Sequence, residues 1–526
     1  MPLKRPGLYL IAVLALVLRV LPTPRTIDDA YITFRYARNL LAGVGFVYNP
    51  GEHVLGTTTP LYTVLMATAA RMSGSQDYPW LALFVNALAD AATCVLLAIV
   101  GERFSGRASV GIAASLLWAV APMSVTFAIG GMETSIFIFL LVLCATFYLF
   151  RHARLTMFTA GLILLTRPDG ALFVGPLILN LAWRRWQARI WPWREVGLFL
   201  LALTPWAIFA TLYFGSPVPH SIAAKALAYR LPPEAALVRL LQHYGTPFFE
   251  HLWLGRFWPL IGFALYAALC AIGSLAAVRH DSRAWPVVIY PGLYFATFAI
   301  ANPLIFRWYL APPLPFYFLL ILSGLAKLAD DLKRMKDEGR FARMTSGFSQ
   351  FILHPREAAF ILFIPVSFFL LTSLNAWTPY PDHGPDRPAP EMAWHKLELL
   401  YEQVGRELAP RVNAQTVIAA GDVGALGYFS NARILDTVGL MSPEASAYYP
   451  LDPALYVINY AVPPQLILDK QPDYVVLLEV YGRNGLFIDS RFAVQYTLVQ
   501  QIPTDIYGST AMLVYARRPV AGDAGR

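Results

Sequence analysis

Eleven apolar runs separated by short polar stretches mark the chain, at 8–22, 80–101, 108–128, 134–150, 155–167, 170–183, 196–214, 258–278, 285–301, 308–326 and 358–375. A helix crosses a bilayer with roughly 20 apolar residues, or fewer where neighbours shelter it, so the pattern predicts about 11 transmembrane helices. The segment Leu61 to Met72 fits either a short span or a helix lying at the interface, and the basic residues decide between them. If it does not cross and the N-terminus is cytoplasmic, five basic loops fall inside, as the positive-inside rule requires. They carry Arg103 and Arg107, Arg151 to Arg154, Arg184 to Arg194, Arg279 and Arg283, and the stretch 327–357. The remaining polar loops then share the outer face: 25–60, GGMET (130–134), RPDG (167–170), GSPVPHSIAAK (215–225), NPLIFRWY (302–309) and everything after about residue 376.

Beyond residue 376 the pattern changes. A proline-rich linker (376–391) leads into an amphipathic helix from Met392 to Glu407, and five short apolar runs follow, at 416–420, 432–438, 474–480, 494–502 and 511–517. Separated by turn signals, they predict strands of a small α/β domain over 392–526. The expected organisation is a membrane domain over 1–375, that linker, and an extracytoplasmic C-terminal domain.

Composition supports the membrane reading. The 526 residues are 57% hydrophobic and only 14% charged, against about 25% charged in soluble domains. The formal charge of +8 invites a nucleic-acid partner, but the cations cluster in short loops between spans, which is topology and not a binding stripe. Cys94, Cys144 and Cys270 all lie in apolar runs, so neither a disulfide frame nor a thiolate metal site is expected. Lys4 and Arg5 precede an apolar run that lacks a small-x-small cleavage site, and the run reads as an uncleaved anchor.

The candidate chemistry centres on 25–60. Asp28 and Asp29 open a helix reaching Leu41. One carboxylate there serves as a general base toward an acceptor hydroxyl, or the pair simply caps the helix through Thr26 and Asp29; a rigidly held cap is compatible with a base. Arg35 follows Asp28 by two helical turns, about 10 Å, a spacing suited to a base at one end of a sugar and a phosphate-binding cation at the other, or to a solvated surface arginine. Lys225 and Arg307 are cations at span ends, suited to a lipid phosphate or to snorkelling; Trp308 and Tyr309 after Arg307 fit an aromatic belt. Arg167 with Asp169, and Asp90 within a span, read as structural pairs. Glu133 is left open, and His220 beside Ser221 is a candidate substrate contact. GDVGALG (421–427) has glycines spaced GxxGxxG, which fits a strand-to-helix turn better than a dinucleotide fingerprint.

The blocks DDAYITFRYARNLLAGVGFVYNPGE, GTTTPLY, GGMETSIF, LTRPDG, GSPVPHSIAAK, FRWYLAPPLP and GDVGALGYFSNARILDTVGL, in this order, resemble the GT-C superfamily of multi-spanning glycosyltransferases, in particular the bacterial branch with the mycobacterial terminal arabinofuranosyltransferases. The resemblance implies an inverting, metal-optional transferase: no cofactor is required and a divalent cation is compatible. It implies a polyprenyl-phosphate-linked sugar as donor and a glycan, lipid or protein acceptor outside the cytoplasmic membrane. It puts the catalytic base at Asp28 or Asp29, with Asp28 first, and turns Lys225 and Arg307 toward the lipid phosphate. Arg35, Glu133, His220 and Tyr309 complete the expected substrate contacts, although His220 stands where the branch commonly has asparagine. Two rival readings are a transporter of lipid-linked sugars, for which internal repeats are expected and none is found, and an anchored glycan-binding protein, which needs far fewer spans.

Overall fold

The computed structural model describes residues 6–247, 257–337, 367, 371, 375–378 and 387–519. The expected span at 358–375 lies outside the described residues apart from 367, 371 and 375, as do Lys4 and Arg5, residues 379–386 of the 376–391 linker, and the 327–357 loop beyond residue 337. Contacts divide the chain into two compact units. One comprises Met1–Arg25, Ala82–Pro205 and Pro233–Ala393; the other Thr26–Leu81, Trp206–Pro232 and Trp394–Arg526. The expected tandem division after residue 391 therefore differs from the grouping by contact, in which the 26–81 and 206–232 stretches join the C-terminal region.

The first unit is helical. Among the described residues four helices are long and apolar enough to cross a membrane, Tyr78–Ser105, Trp193–Phe214, Pro259–His280 and Ser282–Ala301. The pair Ala108–Val120 and Pro122–Ile129, bent by 48°, makes a fifth if taken as one span. The count of eleven is not reached by length and composition alone, and local chemistry explains part of the shortfall. Pro122 lacks an N–H, and the residue before a proline is pushed out of the helical region; Ala121 takes ψ 126°, so the continuous run 108–128 is broken. Gly7–Val20, Thr134–Leu149 and Ala153–Thr166 are apolar but shorter. Pairing inside this unit follows the cost of burying charge: Arg19 bonds Asp90 at 2.7 Å, with neither side chain exposed.

The second unit is built on a five-stranded mixed sheet. Its strands are β1 (Val417–Ala420), β2 (Arg433–Asp436), β3 (Tyr474–Leu478), β4 (Tyr496–Pro503) and β5 (Ala511–Arg517). The order is β2-β1-β3-β5-β4, with β2, β1 and β3 parallel and β5 antiparallel to β3 and β4. All five strands begin within two residues of the expected runs, and the amphipathic helix runs Lys396–Leu408. Around this sheet lie the helices Asp28–Leu41 (the acidic helix), the 14-residue Pro60–Ser73, and His220–Ala228. Pro60–Ser73 is too short to cross a bilayer on its own.

The 26–60 stretch is part of this sheet's surroundings because its polar groups complete it. The Asn49 side chain donates to Ile434 O at 2.9 Å and accepts from Ile434 N at 3.0 Å, closing the edge that β2 would otherwise leave unpaired. Helix Gly424–Ser430, which joins β1 to β2, lies flush on the acidic helix. A Cβ on Gly424 would collide with the backbone carbonyl of Asp28, and one on Gly427 with Tyr48 and Arg35. The glycine spacing in GDVGALG is thus a close-packing pattern.

Gly424→Ala is therefore expected to destabilise the protein by roughly 1 to 3 kcal/mol, the usual cost of overpacking. Gly175→Ala, whose Cβ meets nothing within 4 Å, is expected to be neutral or better. Thermal unfolding of both variants in one detergent checks the contrast.

Candidate functional site

The acidic helix starts one residue away from where a capping box would place it. Its N-cap is Ile27, with no side-chain cap bond, so Thr26 and Asp29 do not cap it. Asp28 instead caps a different helix. Its Oδ2 accepts from Gly424 N at 2.8 Å and its Oδ1 from Ala425 N at 2.7 Å, at the start of Gly424–Ser430. Burial first, and then the neighbouring Asp422 charge, push the Asp28 carboxyl well above the usual range, against the lowering effect of these N–H bonds.

Arg35 is equally committed. Only 1% exposed, it donates to Gly427 O at 2.7 Å, Ala432 O at 2.6 Å and Tyr48 O at 2.9 Å, and its guanidinium stacks 4.3 Å from the Tyr48 ring centroid. The expected role as a phosphate-binding cation finds no support in this geometry: the donors are spent on backbone carbonyls. Arg38 follows suit, donating to Tyr428 O and Asn431 Oδ1.

Asp29, the other member of the pair, faces differently. Its side chain is 32% exposed and lies 3.6 Å from Lys225 Nζ, itself 23% exposed. Lys225 comes from the helix His220–Ala228, tied to the 26–60 stretch by His220 N donating to Leu55 O at 2.9 Å. The imidazole Nε2 of His220 and the hydroxyl of Ser221 are buried with no hydrogen-bond partner among the described residues.

Asp422, in the turn after β1, is the carboxylate that sequence reasoning missed. It accepts from the Tyr401 hydroxyl at 3.2 Å. Burial raises its carboxyl to about 6, and the charges of Asp29 and Asp436 add to the rise. The available signal was GDVGALG itself: attention to the glycines hid the aspartate among them. Asp436, at the end of β2, is raised to about 6 by burial but is structural, since Val438, Gly439 and Met441 N–H groups occupy its oxygens. Tyr229, Tyr401, Tyr460 and Tyr481 are all held above the ordinary phenol value by burial, and each also feels the Asp422 charge. They remain neutral donors at any physiological pH.

Three expected contacts belong to the other unit. Glu133 is buried against Arg167 at 3.0 Å, and Arg167 also holds Asp169 at 2.9 Å. The Tyr309 ring lies 4.8 Å from the Arg167 guanidinium, and the Tyr309 carbonyl accepts from the Tyr294 hydroxyl at 2.7 Å. Arg307 is exposed and donates to Met392 O at 2.9 Å. Arg167 with Asp169 is thus the pair read from the sequence, extended by Glu133. Among the described residues no group of three or more His, Cys, Asp or Glu side chains is arranged to hold a metal ion.

Against known proteins, residues 390–517 match a family described as a domain of unknown function, DUF8728. A stretch of 221 residues is 28% identical to the terminal beta-(1->2)-arabinofuranosyltransferase of Mycobacterium tuberculosis, covering 38% of this chain and 35% of that protein. The protein of the same name from Corynebacterium glutamicum is 30% identical over 296 residues, 49% of this chain and 39% of its own length. The chain thus matches well under half the length of these relatives. The crystal structure of ArnT from Cupriavidus metallidurans bound to undecaprenyl phosphate superposes with a TM-score of 0.56 at 13% identity, over 99% of this chain and 98% of that one. The chain is a membrane protein with the GT-C fold. Its sequence resembles the terminal arabinofuranosyltransferases along the stretches those relatives share. The α/β region that matches DUF8728 is the part that supplies Asp422 and accepts the cap from Asp28.

Crowding of carboxylates has a stability consequence with a definite sign. A carboxyl raised from 3.8 to about 6 contributes stability that is fully present below the unfolded value and lost as pH rises through the folded one. Asp422→Asn lacks that loss. Relative to wild type it is expected to gain up to about 3 kcal/mol between pH 4 and pH 7, read as diverging melting temperatures across that range.

Proposed function

We propose that this protein is an inverting glycosyltransferase that moves a sugar from a polyprenyl-phosphate donor to a glycan, lipid or protein acceptor on the extracytoplasmic side of the cell membrane. The observation that carries the reading is the Asp29–Lys225 pair: a reachable carboxylate and cation side by side, next to further carboxylates whose charges are costly to keep. Carboxyls perturbed by burial and by like-charged neighbours at one place are the pattern expected of a functional site. The GT-C fold, and the undecaprenyl phosphate bound by ArnT, support a polyprenyl-phosphate donor; the arabinofuranosyltransferase relatives support a pentosyl or hexosyl group.

In the proposed reaction an acceptor hydroxyl attacks the anomeric carbon from the face opposite the phosphate. The new C–O bond forms as the bond to phosphate breaks, and its electron pair leaves on polyprenyl phosphate. Asp29 takes the hydroxyl proton and returns it to water, and the sugar is delivered with inverted configuration. Lys225 stabilises the negative charge that grows on the leaving phosphate. No bound metal is needed for these steps, and a divalent cation remains compatible with them.

Asp28 is here a positioning residue: by anchoring Gly424–Ser430 it sets the backbone from which Asp29 projects. Asp29→Asn is expected to lower transfer roughly 10² to 10⁴-fold with little change in melting temperature. Asp28→Asn is expected to lower the melting temperature, with a smaller rate loss per folded molecule. The assay is purified protein in proteoliposomes with polyprenyl-phosphate pentose and hexose donors, read as release of polyprenyl phosphate and as the anomeric configuration of the product by NMR. Full transfer by Asp29→Asn removes that residue from the chemistry, and movement of donor between leaflets without transfer favours a transporter.

A further inference from the structure

The carboxyl ends of the parallel strands hold chemistry that the transfer step does not use. From β1 the chain crosses to β2 on one side and then to β3 on the other, so the strand order reverses between β1 and β3. In open α/β sheets such a reversal opens a crevice beyond the strand ends, where ligands bind. Asp422 lies two residues past the end of β1 and Tyr481 three residues past the end of β3. Tyr401 donates to Asp422. The Tyr460 ring lies 5.1 Å from that of Tyr481 and 6.0 Å from that of Tyr229. Asp422, Tyr229 and Tyr481 are half-buried, while Tyr401 and Tyr460 beneath them are buried.

A second observation comes from the helix His220–Ala228. Ser221 and Lys225, at i and i+4, share one face of this helix, and Tyr229 is its C-cap. Lys225 reaches Asp29 and Tyr229 feels the charges of Asp422 and Asp29. Ser221 is 2% exposed, yet its hydroxyl has no partner among the described residues. A buried hydroxyl without a bond is costly, and this one lies on the face turned to the carboxylates.

Neutral phenols, a carboxylate and aromatic ring faces are what a polyhydroxylated ring needs. The carboxylate accepts from two hydroxyls, the phenols and Ser221 donate or accept, and the ring faces cover C–H surface. An anionic group placed in the crevice itself would face the Asp422 carboxylate, whereas the cation Lys225 lies at Asp29. We propose that this crevice is the acceptor subsite, holding the terminal neutral sugar ring of a glycan acceptor on Asp422, Tyr229 and Tyr481, so that one of its hydroxyls reaches Asp29. The inference rests on the glycosyl-transfer reading and gives the DUF8728-matching region the task of choosing the acceptor.

The test uses the full-length protein in detergent and, as probes, octyl glycosides of an arabinofuranosyl and a mannosyl disaccharide. Saturation-transfer NMR without donor reads sugar binding directly, and steady-state transfer reads the acceptor and donor KM separately. Losing a hydrogen bond to a charged group weakens binding roughly 10- to 100-fold. Asp422→Asn and Tyr481→Leu are each expected to raise the acceptor KM by about that factor, to abolish the saturation-transfer signal at fixed sugar concentration, and to leave the donor KM unchanged. Should Asp422→Asn fail to fold, Tyr481→Leu carries the same readouts. An unchanged acceptor KM, or a rise in donor KM alone, overturns the subsite while leaving the transfer reading intact. Sugar binding that depends on Asp422 in a protein that transfers nothing supports the subsite and overturns the transfer reading. No saturation transfer from wild type to either probe, with transfer to them intact, overturns the subsite.

Discussion

One short helix is held at both ends by one longer helix, and the site depends on that grip. Gly424–Ser430 presents unsatisfied N–H groups at its start and carbonyls at its finish, with the macrodipole positive at the first and negative at the second. The acidic helix answers each end with the matching charge: Asp28 takes the N–H groups of Gly424 and Ala425, and Arg35 gives hydrogen bonds to the carbonyls of Gly427 and Ala432. The seven-residue spacing between Asp28 and Arg35, about 10 Å along a helix, is the length of the helix they hold. The interface admits no side chain at Gly424 or Gly427, so charge pairing and close approach specify the same register.

Asp28 and Asp29 take different roles because of this grip. Successive residues on a helix point about 100° apart, and once Asp28 is buried under Gly424, Asp29 is turned toward Lys225 and the half-exposed surface. The capping reading of the pair holds for Asp28 as a residue type, but the helix being capped is not the one the acids belong to. No local pattern shows this, because the capped N–H groups lie 396 and 397 residues away in sequence. The same long range explains Arg35: its two-turn spacing was visible, and its partners were not.

Short-range order was far more legible. Strands of alternating or continuous apolar character, and the amphipathic helix before them, were readable because each buries a face against one sheet. The apolar runs were readable too, but their division into spans was not, since a proline such as Pro122 interrupts a helix without interrupting hydrophobicity. The grouping of 26–81 and 206–232 with the C-terminal region was hidden for a different reason. What joins them is made of single hydrogen bonds, from the Asn49 side chain to Ile434 and from the His220 backbone N–H to Leu55 O, and hydropathy does not register these.

Asp422 shows what the protein gives up for this arrangement. A carboxylate raised by burial and by its acidic neighbours is one the fold would be more stable without, and such a cost persists in a native protein where function requires it. Asp436 has a similarly raised value, but its three backbone donors show where its charge is used. Asp422, itself half-buried, accepts from one phenol, Tyr401. A half-buried carboxylate with lone pairs to spare is costly to an empty protein and useful to one that binds hydroxyls, because each incoming donor offsets desolvation already incurred. The two aspartates, alike in sequence context as residues at the ends of parallel strands, thus differ in how far the backbone has filled their acceptor capacity.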